Sequence, residues 1–201
     1  MLIGERFTSR VIALPRNDVT TDELLPPRFL TCPDKAGLGQ HLFAELRLLP
    51  DGTPDPSFPL NQARPGKKPR VLMAGSRFGC GTPRDQAAGA LVGAGFRAVV
   101  ARSFAEAFAI SALKSSLIPI ALSAPDHAAL LQELAAHPDL WLAIDLPAQA
   151  VQWPGGRPLR FAIDHYAKMC LISGNDDLAF VLKHARAVHE FEARRQEDFH
   201  E

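Results

Sequence analysis

The chain has 201 residues, 47% of them hydrophobic, with 22 basic and 22 acidic side chains and no formal net charge. That composition supports a substantial buried core and excludes a disordered chain. The even charge balance excludes the basic surplus of a dedicated nucleic-acid binder.

The opening residues Met1-Leu2-Ile3-Gly4-Glu5-Arg6 lack the basic-then-apolar run of a signal peptide. Val11 to Leu14 reads as a strand. Asp18 to Asp22 has turn chemistry, and Glu23 to Leu30 reads as a short helix interrupted by Pro26 and Pro27. Residues 31–39, with Pro33-Asp34-Lys35, Gly37 and Gly39, read as a loop. Prolines crowd residues 50–69, which also read as loop, and Lys67, Lys68 and Arg70 form a small basic cluster expected to be solvated.

From residue 70 the pattern becomes regular. Strand-like runs at Val71–Ala74, Arg97–Ala101, Leu117–Leu122 and Leu140–Leu146 alternate with helical patterns at Pro83–Ala94, Phe104–Lys114 and Pro125–Ala136. This alternation predicts an α/β unit with parallel strands. Ala150–Trp153 and Leu159–Ile163 flank Gly155-Gly156 as a hairpin. A final helix is expected from Asp176 to Arg195, with an apolar stripe at Leu178, Val181, Leu182, Ala185 and Val188. The chain reads as one domain over 1–201. It divides into an irregular part at 1–70, an α/β core at 71–175, and a C-terminal helix and tail at 176–201.

Residues 75–86, Gly-Ser-Arg-Phe-Gly-Cys-Gly-Thr-Pro-Arg-Asp-Gln, lie between a predicted strand and a predicted helix. Gly75, Gly79 and Gly81 permit a sharp turn and a close ligand approach. A following helix end and the bidentate cation Arg84 suit a carboxylate or phosphate. Two compatible readings of Thr82 stand side by side. In one it is the N-cap of the next helix, with Pro83 at the first helical position and Asp85 in a capping box. In the other its hydroxyl faces a substrate. A Walker loop is excluded because no Gly-Lys-Ser/Thr follows, and the glycine spacing is not that of a dinucleotide fold.

Cys32, Cys80 and Cys170 are odd in number, widely spaced and without a CxxC or zinc pattern. We therefore expect a cytoplasmic chain with reduced thiols, no metal ligands of its own, and neither membrane nor nucleic acid as partner. His184 and His189, five apart, are poorly spaced for a shared metal, and His41, His127 and His137 show no partner in sequence.

The chain resembles the small subunit of isopropylmalate isomerase (3-isopropylmalate dehydratase), in the aconitase superfamily, over nearly its whole length. Asn17 to Leu30, NDVTTDELLPPRFL, resembles the family's N-x-D-T-D-x-I-I-P-x-x-F-L. Phe78 to Ala87, FGCGTPRDQA, resembles F-G-C-G-S-S-R-E-H-A, and Gly95 to Ala105 resembles G-F-x-x-V-I-A-x-S-F-A. Phe161-Ala162-Ile163-Asp164 and Cys170 to Asp177 are similar to the late C-L-x-N-G-x-D-D region.

The resemblance implies a three-layer β/β/α swivelling domain of the aconitase C-terminal type. It implies a larger partner subunit holding a [4Fe-4S] cluster, with none bound by this chain. The implied reaction is reversible dehydration of a small 2-hydroxy di- or tricarboxylate. By resemblance Thr82 stands at the base position and Asp22 at the active-site aspartate. Arg84 stands at the substrate-carboxylate arginine, with Gly81, Cys80 and Pro83 beside it. The loop from Thr31 to Gly39 selects the substrate side chain.

This sequence departs from the family pattern at the site. Thr82 and Pro83 replace serines, Asp85 a glutamate, Gln86 a histidine, Ser111 an asparagine and Met169 a histidine. Pro83 removes an N–H and a hydroxyl, and a charge-assisted hydrogen bond to a substrate is worth roughly 1.5–3 kcal/mol. The leading expectation is a hydro-lyase small subunit acting on a substituted malate. The alternatives are the authentic leucine-pathway isomerase subunit and a non-catalytic paralogue that binds a large subunit. An isolated chain is expected to self-associate through its partner surface.

Overall fold

The computed structural model describes residues 5–31, 35–62 and 70–174. The expected final helix 176–195, with its histidines, lies outside the described residues, as do Cys32 and the Lys67-Lys68 pair.

One seven-stranded sheet organises the chain. In chain order its strands are β1 (Arg6–Leu14), β2 (Val71–Ala74), β3 (Ala98–Ala101), β4 (Ile118–Ala121), β5 (Trp141–Asp145), β6 (Ala150–Gln152) and β7 (Leu159–Arg160). The spatial order is β4-β3-β2-β1-β5-β6-β7. The first four are parallel, with Val11 opposite Val71, Val71 opposite Ala98 and Ala98 opposite Ile118. The helices between them are α4 (Asp85–Gly93), α5 (Glu106–Lys114) and α6 (Ala124–Ala136), and α7 (His165–Ser173) follows β7.

The strand period of two divides the core. Leu72, Ala74, Val99 and Ala101 face one apolar cluster, with Ala87, Ala88 and Leu91 of α4 and Phe108 and Ala112 of α5. Val71, Met73, Ala98 and Val100 face the other, with Leu130 and Leu134 of α6 and Leu142, Ile144 and Val151. Central strands buried on both faces read as unbroken apolar runs, which is why Val71-Leu72-Met73-Ala74 was legible.

The run at 140–146 departs from the expected parallel alternation. β5 is antiparallel to β1, with Arg6 opposite Asp145 and Ser9 opposite Leu142. It fills the free edge of β1 and buries only one face: Leu142 and Ile144 are buried, whereas Trp141 and Ala143 are exposed. One-sided burial is the signature of an antiparallel strand. The hairpin around Gly155-Gly156 is present as β6 and β7.

Other expectations shift locally. The helix expected at 23–30 ends early: α1 spans Thr21–Leu24, Leu25 turns extended ahead of Pro26, and Pro27–Phe29 forms a 3-10 turn. Part of the loop expected at 31–39 is helical, as α2 (Lys35–Leu38) and the turn Gly39–His41, and α3 (Ala44–Arg47) follows. α7, which the sequence pattern does not announce, is capped by Asp164, whose carboxylate accepts from the N–H of Ala167.

The Gly39–His41 turn packs directly on the C-terminal end of α4. A Cβ at Gly39 would sit 2.2 Å from the carbonyl carbon of Gly93 and 2.3 Å from the nitrogen of Ala94. Both are backbone atoms, so neither neighbour can rotate aside. We therefore expect Gly39→Ala to destabilise the fold by about 1–3 kcal/mol in urea unfolding, and a variant as stable as the wild type would contradict this packing.

Candidate active site

The exits of β1 and β2 lie side by side at the carboxyl ends of the parallel strands, where open α/β sheets bind ligands. Residues 16–21 run along the glycine loop as a backbone zipper. Gly75 donates to the carbonyl of Arg16 at 2.9 Å, and Asp18 to Ser76, Gly79 to Val19 and Thr21 to Cys80, each at 2.8 Å. Asn17 Oδ1 accepts from the N–H of Ser76 at 2.8 Å.

The segment after β3 holds the loop's other side. Phe78 donates to the carbonyl of Ser103, Ala105 to Phe78 and Arg102 to Gly75, while Ser103 Oγ accepts from the N–H of Arg77. Below the loop, buried His127 of α6 bonds through Nε2 to the carbonyl of Ala74 at 2.6 Å. Gly79, at φ +78°, lies against the ring of Phe108, where a Cβ would stand 2.1 Å from Cγ. Only glycine meets both the left-handed backbone and that close approach.

This bracing leaves the tip of the loop outermost. Gly81, Thr82 and Pro83 are exposed. The scaffold grips the carbonyl of Thr82, which accepts from the hydroxyl of buried Thr21 at 2.7 Å. The backbone that follows corrects the capping reading, because an extended residue past Thr82 cannot be part of a helical turn. Arg84 stays extended (φ −148°, ψ 121°) and α4 begins at Asp85, without a side-chain cap. Of the two readings of Thr82, the N-cap is excluded.

Asp22 of α1 and Arg84 meet across the zipper, with Oδ1 and Nη1 2.7 Å apart. The distance is that of an ion pair, but the angle is not that of an aligned hydrogen bond. Nη1 is shielded from water and makes no hydrogen bond. A second acid–arginine pair, Asp18–Arg77 at 2.5 Å, joins the same segments. Both of its residues have positive φ, 56° and 53°, so the backbone is strained on each side.

Cys80 is half-buried, with Sγ 3.8 Å from the carbonyl of Val19, so it fills the seam between the segments. Thr31 is exposed beyond the Pro27–Phe29 turn, and no described hydrogen bond or ion pair joins it to the loop. Thus Asp22, Cys80, Gly81, Thr82, Pro83 and Arg84 come together, and Thr31 stands apart. Among the described residues no three His, Cys, Asp or Glu side chains converge on a metal-sized site, and no helix is long and apolar enough to cross a membrane.

Sequence reasoning missed Asn17, Thr21, Arg77 and His127. For Thr21 a signal existed: Thr20-Thr21-Asp22-Glu23 is a capping box, with Thr20 Oγ1 accepting from the N–H of Glu23 and Glu23 reaching back to the N–H of Thr20. That box fixes α1 and turns Thr21 inward. We expect Thr21→Val, which keeps the shape and removes the donor, to cost about 1 kcal/mol of stability. It should also shift amide resonances at residues 80–84, and an unperturbed loop would show that the Thr82 carbonyl is not held there.

The chain is similar to known proteins in sequence and fold. The Aconitase C-terminal domain family matches residues 8–125. The 3-isopropylmalate dehydratase small subunit of Anaeromyxobacter sp. (strain K) is 42% identical over 188 residues, 94% of this chain and 96% of that protein. The subunit of the same name from Chloroflexus aggregans is 42% identical over 93% of this chain and 91% of its own length. A crystal structure of 3-isopropylmalate dehydratase from Methanocaldococcus jannaschii superposes with a TM-score of 0.65, covering 93% of this chain and 99% of that one. At 24% identity that likeness speaks for the fold. The chain belongs to the 3-isopropylmalate dehydratase small-subunit family, built on the aconitase C-terminal domain.

Proposed function

We propose that this chain is the small subunit of a hydro-lyase of the 3-isopropylmalate dehydratase type, working with an iron–sulfur large subunit on a substituted malate. The observation that carries the reading is the shielded, incompletely bonded guanidinium of Arg84 beside the exposed tip of the glycine loop. A buried donor without a hydrogen bond is costly to leave so, and a substrate carboxylate supplies the missing acceptor.

Dehydration of a 2-hydroxy acid removes a weakly acidic proton from the carbon next to a carboxylate while the hydroxyl departs from its neighbour. Arg84 binds a carboxylate of the substrate and fixes the ligand against the loop. Thr82 Oγ1, as the alkoxide, takes the proton from the substrate carbon and becomes the hydroxyl; in the reverse direction the hydroxyl returns that proton and the alkoxide is restored. The grip of Thr21 on the Thr82 carbonyl orients the residue without consuming its hydroxyl. Asp22 balances the charge of Arg84 before substrate arrives. Bound to the large subunit, a [4Fe-4S] cluster supplies Lewis acidity toward the leaving hydroxyl. The described residues of this chain offer no ligand set for it.

Threonine in place of serine keeps the hydroxyl and restricts its rotamers. Pro83 contributes no N–H to a carboxylate, so that part of the site binds by shape and through Arg84.

The test is anaerobic co-purification with the large subunit and a hydro-lyase assay over substituted malates. Thr82→Ala is expected to lower kcat by about 10²–10⁴-fold, and Thr82→Ser to retain turnover. Persistence of full activity in Thr82→Ala would remove Thr82 from the chemistry. Arg84→Gln is expected to raise KM by roughly 10- to 100-fold, since a charge-assisted hydrogen bond is worth about 1.5–3 kcal/mol. An unchanged KM would place the substrate carboxylate elsewhere.

A further inference from the structure

We propose that Asp22 is a built-in occupant of the anion seat on Arg84, which an incoming substrate carboxylate has to displace. The inference rests on the reading of Arg84 as the carboxylate-binding residue and adds that the seat is filled, imperfectly, by the chain itself.

The geometry of the pair is that of a placeholder. Asp22 Oδ1 satisfies the charge of Arg84 at 2.7 Å, yet Nη1 lies out of line for a hydrogen bond and is closed off from water. A guanidinium presents its donors as a flat fork that matches both oxygens of a carboxylate. Asp22 is fixed to the backbone of a four-residue helix anchored by the Thr20–Glu23 capping box. A ligand free to rotate in the site can align two oxygens with the fork and make the hydrogen bond that Asp22 leaves unmade.

The partners also differ in freedom. The Arg84 side chain is 21% exposed, whereas that of Asp22 is 49% exposed. The cation is held and shielded; the anion stands half in water and returns to it at small cost once displaced. The neighbouring acids are committed elsewhere. Glu23 accepts from the N–H of Thr20 and pairs with Arg16 at 3.0 Å, and Asp18 pairs with Arg77. Asp22 is therefore the acid of this segment free to exchange with a ligand. Substrate binding becomes an exchange of one carboxylate for another, and apparent affinity is lowered by the fraction of molecules in which the seat is taken.

The experiment is a titration of the full-length chain with malate, followed through the amide resonances of residues 75–84. It compares wild type with Asp22→Asn, Asp18→Asn and Arg84→Gln. Asp22→Asn vacates the seat and is expected to bind malate about two- to fivefold more tightly, the range set by a partly exposed ion pair. Asp18→Asn removes the same charge from the adjacent pair and is expected to leave the affinity as it was. Equal or weaker binding by Asp22→Asn would overturn the proposal, because Asp22 would then be aligning Arg84 rather than competing for it. Equal tightening by Asp18→Asn would overturn it too, because a general fall in negative charge would explain the gain. Arg84→Gln separates the two levels of the argument. It is expected to abolish binding, and wild-type affinity there would sink the reading of Arg84 itself.

Discussion

Everything at the candidate site hangs on the backbone zipper between residues 16–21 and 75–80. These two segments follow adjacent parallel strands, so they leave the sheet at the same end and in the same direction. A glycine loop alone would sample many conformations. Here successive N–H and carbonyl groups are paired across the seam, and the segment after β3 pairs with the other side. Buried backbone groups demand partners, and the loop meets that demand with its neighbours. The residues at its tip are spared from the scaffold and remain available for a ligand.

The side chains extend this logic. Thr21 grips a carbonyl and leaves the Thr82 hydroxyl outward. Two acid–arginine pairs tie the same segments, Asp18–Arg77 at the exposed rim and Asp22–Arg84 where the guanidinium is partly enclosed. Exposed pairs contribute little to stability, because water and salt screen them. The enclosed pair matters through the donor it leaves unsatisfied, which turns a structural contact into a binding element. The frame that presents Thr82 and Pro83 is made of main-chain bonds and of Thr21 and Asn17, so it does not depend on the side chains at those two positions.

Packing beneath the loop sets its height above the sheet. Phe108 of α5 stands directly under Gly79, and the Phe78, Phe104 and Phe108 rings form one aromatic group, with Phe78 and Phe108 edge to face at 5.2 Å. His127 caps the end of β2 from α6 on the far side. The loop is thus clamped between two helices belonging to the two apolar clusters, so its position is coupled to the whole core.

The sequence by itself determined what is local. Unbroken apolar runs at β2 and β3 announced strands buried on both faces, Gly75, Gly79 and Gly81 announced a tight loop, and ordered motifs announced the family. Period and turn chemistry act over a few neighbouring residues, so they can be read from the chain. The tertiary structure alone decided the non-local pairings. Thr21 reaches Thr82 and Asp22 reaches Arg84 across 61 and 62 positions of chain. β5 joins β1 antiparallel, and His127 anchors the end of β2. Such contacts depend on which strands lie side by side, and no periodicity within a segment carries that information.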